Sequence, residues 1–397
     1  MRELKYAKRL LFKEWIPLIA VFLVVAVLSG IISVASYSFY EDHTFGIAAF
    51  TVPASMLAVV MPFFVYSYRF RRIGGDTYYQ LPFKEKEFKN LRVLTGLVAV
   101  IFVFTVAFII GYAVFAISYG IAPKTTTINA WNAQTETYGP VQIPKLVINL
   151  GYMLLAYPVS LVSISGVYFI TTTIVSLTNR LPSAMIYVFV VQVLLAGLLP
   201  IFGLYIYENM ARSDFWAEFA TITLALSPSS IGANVLAQQF GFGANFTLDS
   251  NNNLFDTIRY FSSYGFNSMA ALAIVMLIVD LVIFVGAAFL TLLGSEPSGE
   301  FNGTSGARNK KLNYLLYLLT IFVGLASSFV ATNNVFIYAF IVVFYVAGLY
   351  IMMSIYLGTF KIGSIHGVFI GASGLFLILM PFITIAIEGT LWASGYH

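Results

Sequence analysis

Residues 69–92 read Arg69-Phe-Arg-Arg-Ile-Gly-Gly-Asp76-Thr-Tyr78-Tyr79-Gln-Leu81-Pro82-Phe83-Lys84-Glu-Lys-Glu-Phe88-Lys-Asn-Leu-Arg92, a short polar island between two long apolar runs. Its reading sets the fold, because most of the chain around it is greasy enough to sit in lipid. Of 397 residues, 59% are hydrophobic and 10% are charged, against ~25% charged in an average soluble domain. Apolar runs of about 18 residues or more recur along the whole length, which predicts an all-α polytopic membrane protein. Open sheets would leave unsatisfied edges in lipid. A barrel would show alternation, and these runs do not alternate.

The chain has no cysteine, so disulfides, thiolate metal sites and cysteine nucleophiles are excluded. His43, His366 and His397 lie far apart, and no spacing suggests a metal cage. No metal site and no catalytic residue is assigned. The net charge of +4 is read as a mark of topology, not of nucleic-acid binding. The first apolar run, from about Trp15 to Tyr40, is too long for a signal-peptide core and is expected to remain as an anchor.

Nine spans are predicted, roughly at 15–40, 45–68, 93–121, 146–178, 183–207, 267–293, 313–331, 335–357 and 365–388. Pro158 predicts a kink or a break in the fourth. With the N-terminus in the cytoplasm, all of the 21 Lys and Arg fall inside except Lys124, Lys145, Arg212 and Arg259. That is a strong positive-inside signal. Trp15, Tyr40, Tyr66, Tyr68, Trp131, Trp216 and Trp392 fall near predicted span ends, as in an aromatic belt. Residues 215–236 are moderately apolar and broken by Ser227-Pro228. They are read as a re-entrant or interfacial helical pair on the outer side, with the turn at Ser227 and Pro228.

At the N-terminus, Leu4, Leu11 and Trp15 recur near helical spacing with Lys5, Lys8, Arg9 and Lys13 between them. This predicts a basic amphipathic helix on the cytoplasmic membrane surface. An ordinary positive flank of the first span is the alternative. Residues 294–312 are rich in Gly and Ser and read as a flexible cytoplasmic linker. The predicted organisation is a transmembrane core at 1–293, this linker, and a three-span C-terminal module at 313–397.

Within the island, Leu81-Pro82 stops one segment, because Pro disfavours helix in the residue before it. A helix is predicted to begin over Lys84 to Arg92, with Phe83, Phe88 and Leu91 on one side. The stiff turn so formed carries Tyr78, Tyr79 and Phe83 among charges, and aromatics beside Arg and Lys suit an interface. A plain positively charged loop explains the charges, but not the Asp-x-Tyr-x-x-Leu-Pro order. The stretch Asp76-Thr-Tyr-Tyr-Gln-Leu-Pro-Phe-Lys-Glu-Lys-Glu-Phe88, followed by Leu94-Thr-Gly96, resembles the permease subunits of type-2 ABC exporters. That resemblance implies an ATPase-coupling segment containing Asp76, Tyr78, Tyr79, Leu81, Pro82, Phe83, Lys84 and Phe88. The amphipathic N-terminus, six core spans and Leu226-Ser-Pro228 in a re-entrant outer hairpin extend the resemblance over residues 1 to about 293. The three-span tail departs from it.

The remaining motifs are weighed against plainer readings. No phosphate-binding G-x-x-x-x-G-K-[ST] loop exists in the chain. No cofactor is expected here; ATP and Mg belong to a partner ATPase. Asp280 lies mid-run, where a carboxylate costs a few kcal/mol or more. It is read as a possible intramembrane polar site, or as a neutral carboxyl hydrogen-bonded to a neighbour. Gly363, Gly367 and Gly371 form a G-x-x-x-G-x-x-x-G stripe suited to close helix packing. The outer segments 122–145 and 238–266 are too short for a catalytic domain.

The expected function is therefore that of a non-enzymatic permease subunit of an ATP-driven exporter, multi-pass in the plasma membrane with a cytoplasmic N-terminus. Its expected substrate is hydrophobic or amphipathic: an antimicrobial peptide, a lipid-linked compound or a drug. Its expected partners are ABC ATPase subunits, a second permease subunit (identical or related) and the lipid bilayer, but no nucleic acid. The alternative is a proton- or ion-coupled secondary transporter using Asp280. An intramembrane enzyme or sensor is a third class, disfavoured because no acid or His cluster appears near one face.

Overall fold

The computed structural model describes residues 2–40, 45–70, 84–121, 125–132, 137–144, 150–194, 271–294, 313–319, 335–361 and 363–393. In order these form α1 (Arg2–Arg9), a π-helical turn (Leu10–Glu14), α2 (Ile16–Tyr40), α3 (Phe45–Val65) and a 3-10 turn (Ser67–Arg69). There follow α4 (Glu85–Ile121), β1 (Thr125–Asn132), β2 (Thr137–Pro144), α5 (Leu150–Ser176) and α6 (Leu181–Phe189). Chain order ends with a π-helical turn (Val190–Leu194), α7 (Ala271–Leu293), α8 (Val335–Leu357) and α9 (Ser364–Ala393). Residues 313–319 are also helical.

Packing centres on α5. It lies against α3, α4, α6 and α7, while α2 packs on α3 and α4. Its stretch from Ser163 to Phe169 is buried without a gap, which is the mark of a helix enclosed on all sides. Gly96 allows α4 to close on it. A Cβ there would stand 2.5 Å from the Tyr168 hydroxyl and 2.8 Å from Val65 Cγ2. Tyr168 meanwhile donates from its hydroxyl to the Val93 carbonyl at 2.6 Å. A second layer joins through α6, which packs on α8, and α8 packs on α9. Ser183 Oγ of α6 donates to the Tyr356 carbonyl of α8 at 2.6 Å. Ring stacking ties the 313–319 segment to α9, with Tyr317 and Phe369 5.2 Å apart.

Two sequence expectations are corrected. Among the described residues the fold is helical save for one antiparallel hairpin, β1 with β2, registered from Thr125 opposite Pro144 to Asn132 opposite Thr137. It occupies the outer segment 122–145 of a chain read as all-α, where β-branched and aromatic residues bracket the turn. More important, the nine-span reading, with its six-span exporter core and three-span tail, is not carried. Among the described residues, only Lys86–Val114 is long and apolar enough to cross a membrane, or two such stretches if the bent pair Lys5–Glu14 and Ile16–Ile31 is one span.

Two breaks in the chain bear on the first and fifth predicted spans. A crossing helix needs about 20 apolar residues in one unbroken rod, and hydropathy windows do not see where a rod bends. The chain turns by 63° between Glu14 and Ile16. The run predicted at 183–207 leaves α-geometry after Phe189. By contrast, α5 runs unbroken through Pro158 rather than splitting there. Trp15, Tyr66 and Tyr68 are also buried in the packed interior instead of forming an outer belt.

Candidate functional site

The most unusual local chemistry lies where α3, α5 and α7 end. The last turn of any helix leaves carbonyls without intrahelical donors and carries the negative end of the helix dipole. Here three cations meet three such ends. Arg92, 1% exposed, sits in the second turn of α4. Its Nε donates to the Val65 carbonyl at 2.8 Å and its Nη2 to the Phe64 carbonyl at 3.0 Å, closing the end of α3. Arg69, 2% exposed, donates from Nη1 to the Ser176 carbonyl at 3.2 Å and from Nη2 to Asn179 Oδ1 at 3.4 Å, closing the end of α5. Buried Lys89 donates from Nζ to the Gly294 carbonyl just beyond α7.

Sequence explains why the side chains reach these places. Lys89 and Arg92 are three apart at the root of α4, so they lie on one helical face. Phe88, Thr95 and Gly96 are buried beside them. Arg69 ends the 3-10 turn that carries the chain out of α3. The planar guanidinium, with its fixed fork of donors, suits two adjacent carbonyls better than an ammonium does.

Aromatic rings complete the enclosure. The Arg92 guanidinium carbon lies 5.5 Å from the Trp15 ring centre, 5.3 Å from Tyr68 and 5.7 Å from Phe88. That of Arg69 lies 5.4 Å from Tyr66. Each such contact contributes about 0.5–2 kcal/mol when desolvated. Arg92 Nη1 also reaches the Tyr6 hydroxyl at 3.0 Å, and the Tyr6 ring rests 5.6 Å from that of Phe88. The N-terminal helix is thereby fastened to the root of α4.

The sequence-predicted residues fall in three groups. Asp76, Tyr78, Tyr79, Leu81, Pro82, Phe83, Ser227 and Pro228 lie outside the described residues. Lys84 is exposed and 4.0 Å from Glu87, whereas Phe88 is buried against Tyr6 and Tyr68. Asp280 is on α7, with its side chain outside the description. Among the described residues, no atom lies within 4 Å of a Cβ added at Gly363, Gly367 or Gly371. Close approach on α9 occurs instead at Gly374, where a Cβ would stand 2.9 Å from Val346 Cγ2.

Sequence reading missed Arg69, Lys89 and Arg92 as structural cations, because it counted them as loop charges. The available signal was the spacing of Lys89 and Arg92 with Phe88 and Gly96 at the start of an apolar run. A second polar patch lies along α5. Thr173 Oγ1 meets Thr291 Oγ1 at 2.8 Å, and Gln192 Nε2 donates to Thr171 Oγ1 at 2.9 Å. Among the described residues, no three His, Cys, Asp or Glu side chains gather as a metal site would require.

No protein-family model matches the chain, and comparison with curated proteins and with solved structures returns no match. The resemblance to type-2 ABC exporter permeases is thus corrected: it rested on short motifs in a shared order, and wider similarity does not support it. The span architecture that a multi-pass plasma-membrane exporter requires is likewise not found among the described residues. The exporter function, its substrate classes and the Asp280-coupled alternative fall with it.

Proposed function

We propose that this chain is a non-catalytic helical protein that works in contact with a lipid bilayer, with acyl chains covering its apolar exterior. The observation that carries this reading is an inverted polarity. Val21, Val24 and Leu28 of α2, Val98 and Phe102 of α4, Val282, Val285 and Phe289 of α7, and Val368 and Leu375 of α9 are exposed. Ser160, Ser163, Ser165, Thr171 and Thr172 of α5 are buried, together with Arg69, Lys89 and Arg92.

In water, exposed apolar area costs roughly 25 cal/mol per Å², and contiguous apolar patches beyond a few hundred Å² are rare on monomers. Against lipid tails that cost disappears, and buried hydroxyls and amides become the groups that hold helices together. The Thr173–Thr291 and Gln192–Thr171 contacts are of this kind. The proposal requires contact with lipid and no particular number of crossings.

The test is flotation of the full chain, diluted from mild detergent, with neutral phosphatidylcholine vesicles. It is expected to rise with the vesicles and to aggregate without them. A chain that stays monodisperse in detergent-free buffer and remains at the bottom of the gradient would overturn the reading.

A further inference from the structure

The N-terminal segment offers a surface that the interior packing does not use. Residues 2–14 run as α1 and a π-helical turn, then meet α2 at a bend of 63°. One side of the segment faces inward. Leu10 and Trp15 are buried, and Tyr6 is held by the Arg92 guanidinium and the Phe88 ring. The other side is exposed and carries Lys5, Lys8, Arg9, Phe12 and Lys13. Among the described side chains of the segment, Glu14 is the exposed acid and lies 3.8 Å from Arg9. At the adjoining root of α4, Lys84 and Lys86 are exposed beside Glu87. Cations therefore outnumber acids on a patch that also presents an unshielded phenyl ring.

We propose that this patch is a docking surface for anionic lipid headgroups, already folded before it meets them. The inference rests on the lipid-contact reading above and adds a headgroup class to it. Charge complementarity argues for the partner: basic residues near a membrane surface favour anionic leaflets, while an aromatic side chain among them enters the acyl boundary. Lys fits the role, as a strongly hydrated point charge on a flexible stem.

The fold argues for pre-organisation. Most short basic peptides become helical only on the membrane, and an isolated helix of this length is marginal in water. In this chain the helix is fastened from behind by Tyr6, Leu10 and Trp15 on the Arg92 cluster. The charges are thus presented without the ordering cost that coupled folding adds to binding.

The experiment uses the full chain in flotation against two vesicle types, pure phosphatidylcholine and the same lipid with phosphatidylglycerol added. The native chain is expected to partition roughly tenfold better into the anionic vesicles, falling towards parity at high salt. A Lys5→Glu/Lys8→Glu/Lys13→Glu variant should lose that ratio and keep its association with neutral vesicles. A Lys5→Arg/Lys8→Arg/Lys13→Arg variant, which retains charge, should keep the ratio. Equal ratios for the native and Glu variants would overturn the proposal. So would loss of the ratio in the Arg variant, because charge would then not be the determinant.

Failure of the native chain to bind neutral vesicles would count against the lipid-contact reading instead, so the two failures are distinguishable. Amide exchange of residues 2–14 provides the second measurement. Equal protection with neutral and with anionic vesicles supports the pre-folded surface. Protection that appears only with anionic lipid overturns it. An acidic protein or a nucleic acid that displaced the chain from anionic vesicles at lower charge concentration than the lipid would also overturn it.

Discussion

Two regions of the molecule solve the same problem by different means. Around α3, α4, α5 and α7, neighbouring helices are joined through charged hydrogen bonds from Arg69, Lys89 and Arg92 to carbonyls at helix ends. Around α8, α9 and residues 313–319, helices are joined by stacked rings and by Ser183 at the Tyr356 carbonyl. The first arrangement is directional, since each cation donates to a carbonyl at a helix end, beside local donors such as Ser67 Oγ at the Phe64 carbonyl. The second rests on ring pairs that each contribute about 0.5–1.5 kcal/mol beyond their area burial. The comparison teaches that cooperativity belongs to the cationic end and that the C-terminal layer opens first under stress.

Removing Arg92 tests this most severely. Arg92→Met leaves the Phe64 and Val65 carbonyls without their guanidinium and removes the Tyr6 contact that holds the N-terminal segment. A loss of about 2 kcal/mol or more is expected, on the scale of a charged hydrogen bond and the orphaned carbonyls it leaves. Thermal unfolding of the detergent-solubilised chain measures it, and a melting curve superimposable on the native one would remove the distinction between regions. Arg92→Lys should fall between, because an ammonium cannot fork across two carbonyls.

Gly96→Ala comes next. The added methyl meets Tyr168 and Val65 inside van der Waals distance, and overpacking of this kind costs about 1–3 kcal/mol. Its signature is spatial as well: amide exchange should quicken in α4 and α5 and stay unchanged in α9. Exchange that quickens equally everywhere would mean that the two regions unfold as one.

In the C-terminal layer the effects are smaller. Gly358 follows α8 with φ of 70°, and the Thr359 amide returns to the Ser354 carbonyl at 3.1 Å to complete the helix end. Gly358→Ala should cost about 1 kcal/mol, through left-handed backbone that a Cβ disfavours. Limited proteolysis near residue 360 would detect it, and an unchanged cleavage rate would argue that this end is already open.

The smallest effect concerns pH. His366 lies against Tyr314 and Tyr317, with ring centres 6.3 and 5.4 Å away. Burial holds its imidazole below the ordinary value of 6.5. Its Nδ1 is buried and has no hydrogen-bond partner among the described residues. A lowered value in the folded state means that the unfolded chain binds the proton more readily. The contribution is therefore fully present above about pH 6.5 and is lost as pH falls below it. Proteolytic opening of the 313–319 segment should rise between neutral and mildly acidic pH, and His366→Gln should abolish that rise. A rise that persists in the variant would assign it to another group.

Much of the helical content was legible. The apolar runs locate α2 through α5 and α7 through α9 closely, and the predicted helix start near Lys84 falls beside the observed one at Glu85. Composition does not encode the bend of 63° between Glu14 and Ile16 or the exit from α-geometry after Phe189. Nor does the sign of a charge say which way it points. Arg69 and Arg92 looked like solvated loop residues because Arg is mostly exposed on average. Their burial depends on carbonyls supplied by helices distant in sequence, with Ser176 more than a hundred positions beyond Arg69. The β1–β2 hairpin was overlooked because the surrounding hydropathy directed attention to helices alone.

The spacing of Lys89 and Arg92 also has a metrical consequence. Two anchors three residues apart stand about 4.5 Å from one another along a helix axis, and one added residue rotates everything beyond it by about 100°. The first turns of α4 thus act as a gauge that indexes the end of α3 against the end of α7. A residue inserted between Lys89 and Arg92 would swing the guanidinium off its carbonyls and leave the ammonium in place. The same insertion beyond Ile121, past the end of α4, would disturb neither mark.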